Sequence, residues 1–268
     1  MSQPQPVTEA ADGLIVNKMH IPFELDGGIA ERAAVGLVVL ATDHTIEYEW
    51  RKIFSMAGVG LYESRILNSP DITPESLAAM EAGIADATRV ILPGARLDVV
   101  AYGCTSASMV IGEEGVFARI REARPEVACT TPVTAAFAAF EVLGMRRIAL
   151  LTPYIDEINQ GMRRYFVDRG VEVPVMGSFN EGDDNKAARI SLPSLKAAAI
   201  ELGRNDAVDG VFVSCTSLRL VDVIEEIEAE LGKPVTSSNH AMAWHCLRLG
   251  GIEDTLPQFG RLFSKGLE

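Results

Sequence analysis

Leu97-Asp98-Val99-Val100-Ala101-Tyr102-Gly103-Cys104-Thr105-Ser106 and Val208-Asp209-Gly210-Val211-Phe212-Val213-Ser214-Cys215-Thr216-Ser217 are one pattern written twice. Each runs from an acidic residue through an apolar strand and a small residue into Cys-Thr-Ser. The two cysteines stand 111 positions apart. Neighbouring segments match in the same order. Val35–Leu40 pairs with Ile148–Leu151, each an apolar strand with a polar loop after it. Pro74-Glu75-Ser76-Leu77 pairs with Pro193-Ser194-Leu195, each a helix start, and Thr130-Thr131 pairs with Ser237-Ser238. One matching tripeptide would mean little. Several matching elements in order predict two α/β halves of similar topology, about 110 residues each.

The flanking sequence supports that reading. Ala34–Leu40 is all apolar and short, which suits a strand buried on both faces. A helix is predicted from Ile46 to Ala57, ended by Gly58 and Gly60, and then a strand over Leu61–Leu67. Thr73-Pro74-Glu75 has a capping hydroxyl, a first-position proline and an acidic residue, and starts a helix predicted to run to Leu92. The first Cys loop feeds a helix from Ser106 to Ile111, broken near Gly112. Leu220, Val221, Val223, Ile224, Ile227 and Leu231 fall at helical spacing, stopped by Gly232 and Pro234. Strands alternating with helices in this way imply parallel sheets. Residues 1–30, with weak periodicity and a Gly27-Gly28 pair, read as a leader that either packs on the body or lies loose.

Composition narrows the function. Hydrophobic residues make up 48% and charged residues 23%, the balance of a globular chain that buries a core. A net charge of −13 repels phosphate backbones and anionic lipid, which argues against nucleic-acid and membrane-surface binding. No apolar run approaches the ~20 residues of a membrane helix. Met1-Ser2-Gln3-Pro4-Gln5-Pro6 lacks the basic and apolar regions of a signal peptide. Four sparse cysteines imply free thiols and a cytoplasmic location. There is no Gly-x-x-x-x-Gly-Lys, Gly-x-Gly-x-x-Gly, Gly-x-Ser-x-Gly, His-Glu-x-x-His or Cys-x-x-Cys pattern, so nucleotide and metal cofactors are not expected.

The duplicated turns carry the chemistry. In open α/β sheets, ligands bind at the carboxyl ends of strands. Each Cys is expected there, at a helix start, where free N–H groups and the dipole favour anions and lower a thiol's pKa. The hydroxyls of Thr105, Ser106, Thr216 and Ser217 add donors for a carboxylate. If the halves face each other, Cys104 and Cys215 become opposed acid–base groups of the kind a racemase or proton-shuffling isomerase uses. Cys after a strand is often only packing. Duplication in matching settings favours catalysis for these two, whereas Cys129 and Cys246 lack the setting and read as structural. Asp43, after the first strand, reads equally as a helix cap or a site residue. Tyr154 occupies the matching loop of the second half, where a surface aromatic is the plainer reading. Asn185 lies in the polar stretch Glu181–Asn185, which reads most simply as a solvated loop.

These residues resemble the aspartate/glutamate racemase superfamily, in the branch of maleate cis-trans isomerase and arylmalonate decarboxylase. The resemblance covers most of 34–264. It rests on Gly36-Leu37-Val38-Val39, Tyr102–Ser106, Thr152–Asp156, Ser214–Ser217 and Pro234–Asn239. Ala41–Thr45 and Ile91–Gly94 are most similar to the ectoine-utilisation protein of ectoine-degradation gene clusters. The resemblance implies two flavodoxin-like lobes related by a pseudo-twofold axis, with the site between them and no cofactor. It implies that the last strand and helix cross back, so that 31–125 with 232–268 form lobe one and 126–231 form lobe two. It implies catalytic roles for Cys104 and Cys215 and substrate contacts from Thr105, Ser106, Tyr154, Thr216 and Asn185. A homo-oligomer, dimer or tetramer, is expected.

Two departures from that branch refine the expectation. Decarboxylases keep only the second cysteine, and this chain has both, which favours an isomerase or racemase. Maleate isomerases carry asparagine where this chain has Asp43. An anionic Asp43 repels a dicarboxylate and suits a nitrogen-bearing acid. The expected function is therefore a two-cysteine isomerase or racemase of a small amino or N-acyl-amino carboxylic acid, in ectoine catabolism. Maleate-type isomerase, arylmalonate-type decarboxylase and non-catalytic ligand-binding protein are the alternatives.

Overall fold

A computed structural model describes residues 18–69 and 73–267. The first half is built from β1 (Ala33–Leu40), α1 (Ile46–Ile53), β2 (Val59–Ile66), α2 (Pro74–Ala79), α3 (Glu81–Arg89), β3 (Val99–Gly103), α4 (Thr105–Ile111), α5 (Glu113–Ala123), β4 (Ala128–Thr130) and α6 (Pro132–Leu143). The second half holds β5 (Arg147–Thr152), α7 (Asp156–Val167), β6 (Glu172–Ser178), α8 (Asp184–Ala187), α9 (Leu192–Gly203), β7 (Gly210–Val213), α10 (Ile224–Leu231), β8 (Val235–Ser237) and α11 (Ser238–Leu249). Each half forms a four-stranded parallel sheet, ordered β2-β1-β3-β4 and β6-β5-β7-β8. The duplicated pattern is thus a duplicated topology. Val39 lies opposite Gly103 and Leu151 opposite Val213, so both Cys turns leave the carboxyl edge of a central strand.

Central strands with apolar side chains on both faces need helices on both sides. Val35, Leu37 and Val39 of β1 pack on one face against Ile46 and Trp50 of α1 and against α11. Val38 and Leu40 pack on the other face against Ile84 of α3 and Ile120 of α5. The second sheet closes around Phe140, Phe166 and Phe212. The expected return of the last strand and helix to the first lobe is half corrected. β8 pairs with β7 in the second sheet, and β4 pairs with β3 in the first. It is the helices after these strands that cross: α11 shares a core with β1 and β3, and Ala136 and Phe140 of α6 join the second sheet's core.

Several expected boundaries shift. The helix begun at Ile46 stops at Ile53. The helix expected from Thr73 to Leu92 is two helices meeting at Met80, whose N–H turns to Leu77 three residues back. The break at Gly112 is present, with φ +84°. The helix expected from Leu220 opens with a 3-10 turn over Val221–Val223. Of the leader, residues 1–17 lie outside the described residues, and 18–29 are irregular and exposed. Among the described residues no helix is long and apolar enough to cross a membrane.

Candidate active site

Cys104 and Cys215 line one narrow cleft, together with Leu40, Asn68, Ser69, Ser76, Leu77, Met80, Thr105, Ser106, Tyr154, Asp184 and Thr216. No lysine, arginine or histidine is among these lining residues. The lining side-chain donors are hydroxyls, thiols and the Asn68 amide, all of them uncharged.

The two thiols arrive by different routes. Cys104 follows β3 in extended conformation, with φ −145°, and caps α4. Its Sγ lies 3.8 Å from Ser106 Oγ and makes no cap hydrogen bond to the helix. Cys215 was expected at a helix start as well, and that expectation is corrected. Residues 214–220 form a loop, and α10 begins only at Ile224. Cys215 has φ +145°, in the region that favours glycine, a strained conformation of the sort concentrated at functional sites. Ser217 N–H donates to its Sγ at 3.4 Å, and the Tyr154 side chain also acts on the thiol.

The expected lowering of the thiol pKa values is reversed. Burial pushes Cys104 up to about 12, and Asp184 and Asp43 add to the rise against the pull of Ala107 N–H and Ser106. Burial likewise pushes Cys215 up to about 12, reinforced by Asp184 and opposed by Tyr154 and Ser217. Desolvation outweighs a seven-residue helix end. Both thiols are therefore neutral acids at neutral pH in this structure.

Ser238 joins the two Cys turns. Thr105 Oγ1 donates to Ser238 Oγ at 2.8 Å, and Cys215 N–H donates to the same oxygen at 3.1 Å. Thr216 lines the cleft, and its side chain also lies beside the Asp43 carboxyl. Ser217 turns away from the cleft: its hydroxyl donates to Asp184 Oδ1 at 2.7 Å, and its carbonyl accepts Thr45 Oγ1 at 2.8 Å.

Asp43 lies behind the lining. Its Oδ1 accepts Thr45 N–H at 2.7 Å and Ile46 N–H at 2.8 Å, closing the start of α1 as a cap. Its Oδ2 is buried with no hydrogen bond of ordinary geometry among the described residues. Burial pushes this carboxyl up to about 6. Asn185 does not reach the cleft and instead bonds His44 Nε2 at 2.8 Å. Its neighbour Asp184 does, with Oδ2 accepting Thr42 Oγ1 at 2.8 Å. Sequence reasoning passed over Asp184, Ser238, Asn239 and Glu49. The Pro234–Asn239 stretch was a visible signal for two of them. Cys129 and Cys246 are buried among apolar side chains. Burial holds His240 and His245 down to about 4, so both are neutral packing groups. Among the described residues no group of three or more His, Cys, Asp or Glu is arranged to hold a metal ion.

Comparison with known proteins agrees with this geometry. Arylmalonate decarboxylase of Bordetella bronchiseptica is 33% identical over 202 residues, covering 72% of this chain and 82% of that protein. Maleate isomerase of Alcaligenes faecalis is 25% identical over 246 residues, covering 86% and 96%. The crystal structure of Nocardia farcinica maleate cis-trans isomerase, as a cysteine-to-serine variant with a covalently bound succinylcysteine intermediate, superposes with a TM-score of 0.78. It is 25% identical, with 86% of this chain and 98% of that chain covered. These neighbours have the racemase-like fold of two parallel-sheet lobes. Residues 35–263 match the Amdase family, described as arylmalonate decarboxylase, and the chain belongs to that family.

Proposed function

We propose that the chain is a cofactor-independent isomerase of a small carboxylic acid, with Cys104 and Cys215 as its working pair. The observation that carries this reading is the burial of both thiols in one hydroxyl-lined cleft. In a cis–trans reaction, one cysteine releases its proton to water, and its thiolate adds to an alkene carbon and forms a C–S bond. The electron pair moves to the neighbouring carbon, next to a carboxylate, and takes a proton from the opposite thiol. Rotation about the former double bond and the reverse steps give the trans acid and restore both groups. In a racemisation, one thiolate removes the α-proton and the other thiol returns one to the opposite face. The lining Ser106 and Thr216 supply hydroxyl donors for carboxylate oxygens in this reading, Thr105 joins them by releasing Ser238, and Tyr154 steadies the Cys215 thiol.

The same cleft supports a nitrogen-bearing acid as substrate. Asp184 sits in it, Asp43 lies behind it, and Asp184 raises the pKa of both thiols. A substrate cation against Asp184 cancels that repulsion and makes the thiolate more accessible. An ectoine-derived amino acid is one acid of this class. All four cysteines are free, which supports a reducing cytoplasm.

A second reading, decarboxylation with Cys215 as sole proton donor, is favoured by the 33% identity to an arylmalonate decarboxylase. Proton NMR in heavy water, over a panel of maleate, amino acids, N-acyl-amino acids and arylmalonates, separates them. Isomerised alkene or deuterium at an α-carbon supports the proposal. Carbon dioxide release that survives Cys104→Ala supports the decarboxylase. Tight binding of an acid with no turnover overturns both.

A further inference from the structure

The loop that carries Cys215 is held from outside the cleft by a carboxylate with no ion-pair partner among the described residues. Glu49, on α1 in the first half, is 2% exposed. Its Oε1 accepts Leu220 N–H at 2.6 Å and Val221 N–H at 2.8 Å. Its Oε2 accepts Asn239 Nδ2 at 2.7 Å. The same Nδ2 donates to the Thr216 carbonyl at 2.8 Å, one residue past Cys215. Glu49 therefore grips the far end of the loop directly and its near end through Asn239. Asn239 itself is fixed by Trp50, whose indole N–H donates to its carbonyl at 3.0 Å.

We propose that Glu49 is the positioning residue of Cys215, and that Glu49 and Asn239 form a two-state relay that releases the loop when Glu49 takes up a proton. The proposal rests on the reading of Cys215 as a working thiol. Two observations support the second state. Asn239 Oδ1 is buried with no hydrogen-bond partner among the described residues. A protonated Glu49 has a new O–H donor facing Nδ2, which is itself a donor. Reversal of the Asn239 amide presents Oδ1 to that O–H and gives both groups a partner. The same reversal withdraws Nδ2 from the Thr216 carbonyl and loosens the strained turn at Cys215.

The surroundings favour titration near neutrality. Burial pushes Glu49 up to about 7, against the pull of Val221 N–H, Asn239 and Leu220 N–H. The charged group acting on it is Asp222, from the turn after the loop, which is itself paired with Lys52 at 2.5 Å. From α11, Asn239 faces it.

The test is the rate of iodoacetamide alkylation at Cys215 relative to Cys104, read by mass spectrometry of the full chain with no substrate present. Both thiols lie well above the working pH, so their thiolate fractions rise in parallel and the ratio reports position. In the wild type, the ratio is expected to change by about threefold or more between pH 6 and pH 8. In Glu49→Gln, which keeps the shape and cannot ionise, the change is expected to shrink to what Asp43 alone contributes through Cys104. Asp43, which acts on Cys104 and titrates about one unit lower, is retained in that variant and cannot supply the difference. A flat wild-type ratio, or the same pH dependence in both proteins, overturns the proposal. If Glu49→Gln does not fold, Asn239→Ala serves: loss of the pH dependence supports the relay, and its retention overturns it. A chain that turns over none of the acids yet shows the Glu49-dependent ratio removes the proposed function and leaves this relay standing.

Discussion

Cys104 and Cys215 enter one cleft from equivalent central strands with backbone φ of opposite sign, −145° and +145°. The duplicated sequence does not produce duplicated geometry at the reacting atoms. Cys104 follows an ordinary extended strand into a helix. Cys215 sits on a strained turn whose ends are tied to Ser238, Asn239 and Glu49 in other elements. The two thiols line one cleft with different supports.

Strain at Cys215 has a measurable sign. Glycine adopts φ +145° without the penalty a Cβ incurs, so Cys215→Gly should be more stable than Cys215→Ala by about 1 kcal/mol. Chemical denaturation of the two variants decides it. An alanine variant as stable as the glycine variant would show that the turn is unstrained.

Ser238 accepts from both Cys turns, so Ser238→Ala leaves the Thr105 hydroxyl and the Cys215 N–H without an acceptor. The expected cost is about 1–3 kcal/mol of stability. Turnover is expected to fall about tenfold as Cys215 loses its fixed position. Steady-state kinetics and thermal melting, measured together, check both.

Asp184 raises both thiols through its charge. Asp184→Asn removes the charge, keeps an acceptor for one of the Ser217 and Thr42 hydroxyls and offers an N–H donor to the other. Alkylation of both cysteines at a fixed pH should then quicken by about three- to tenfold. Turnover of a nitrogen-bearing acid should fall relative to that of a plain dicarboxylate. Unchanged thiol reactivity would remove Asp184 from the account.

Burial of Glu49 links stability to pH. Its folded pKa of about 7 lies above the ordinary 4.5, so the folded state holds a proton that the unfolded chain releases. That contribution is complete below pH 4.5 and is lost as pH rises through 7. Between pH 4 and pH 8 the wild type should therefore lose about 3 kcal/mol relative to Glu49→Gln. Urea denaturation at the two pH values measures the change, and a constant difference would contradict it.

The fold could be read from apolar runs. β1, β3, β5 and β7 are short, apolar and followed by polar loops, and their neighbours recur in one order. The cysteine pair was legible for the same reason. What escaped depends on three-dimensional approach. Asp183, Asp184 and Asn185 are equally polar in sequence, and only the start of α8, capped by Asp183, turns Asp184 inward and Asn185 out. Glu49 is one of two acids in α1, Ile46–Ile53. Its burial follows from the arrival of Leu220 and Val221, which lie 171 and 172 residues away. Those N–H groups are spent on Glu49, which is also where the repeat misleads: the loop they close has no helix start beside Cys215.

The central claim, that both thiols do the chemistry, is tested most directly by turnover in Cys104→Ala, Cys215→Ala and the double variant. The measurement is made on the acid that the wild type converts. Each single variant is predicted to lose about a thousandfold or more, and the double variant to lose no more than the worse single one, because the pair acts as a unit. Full turnover in Cys104→Ala with loss only in Cys215→Ala would contradict a two-cysteine mechanism.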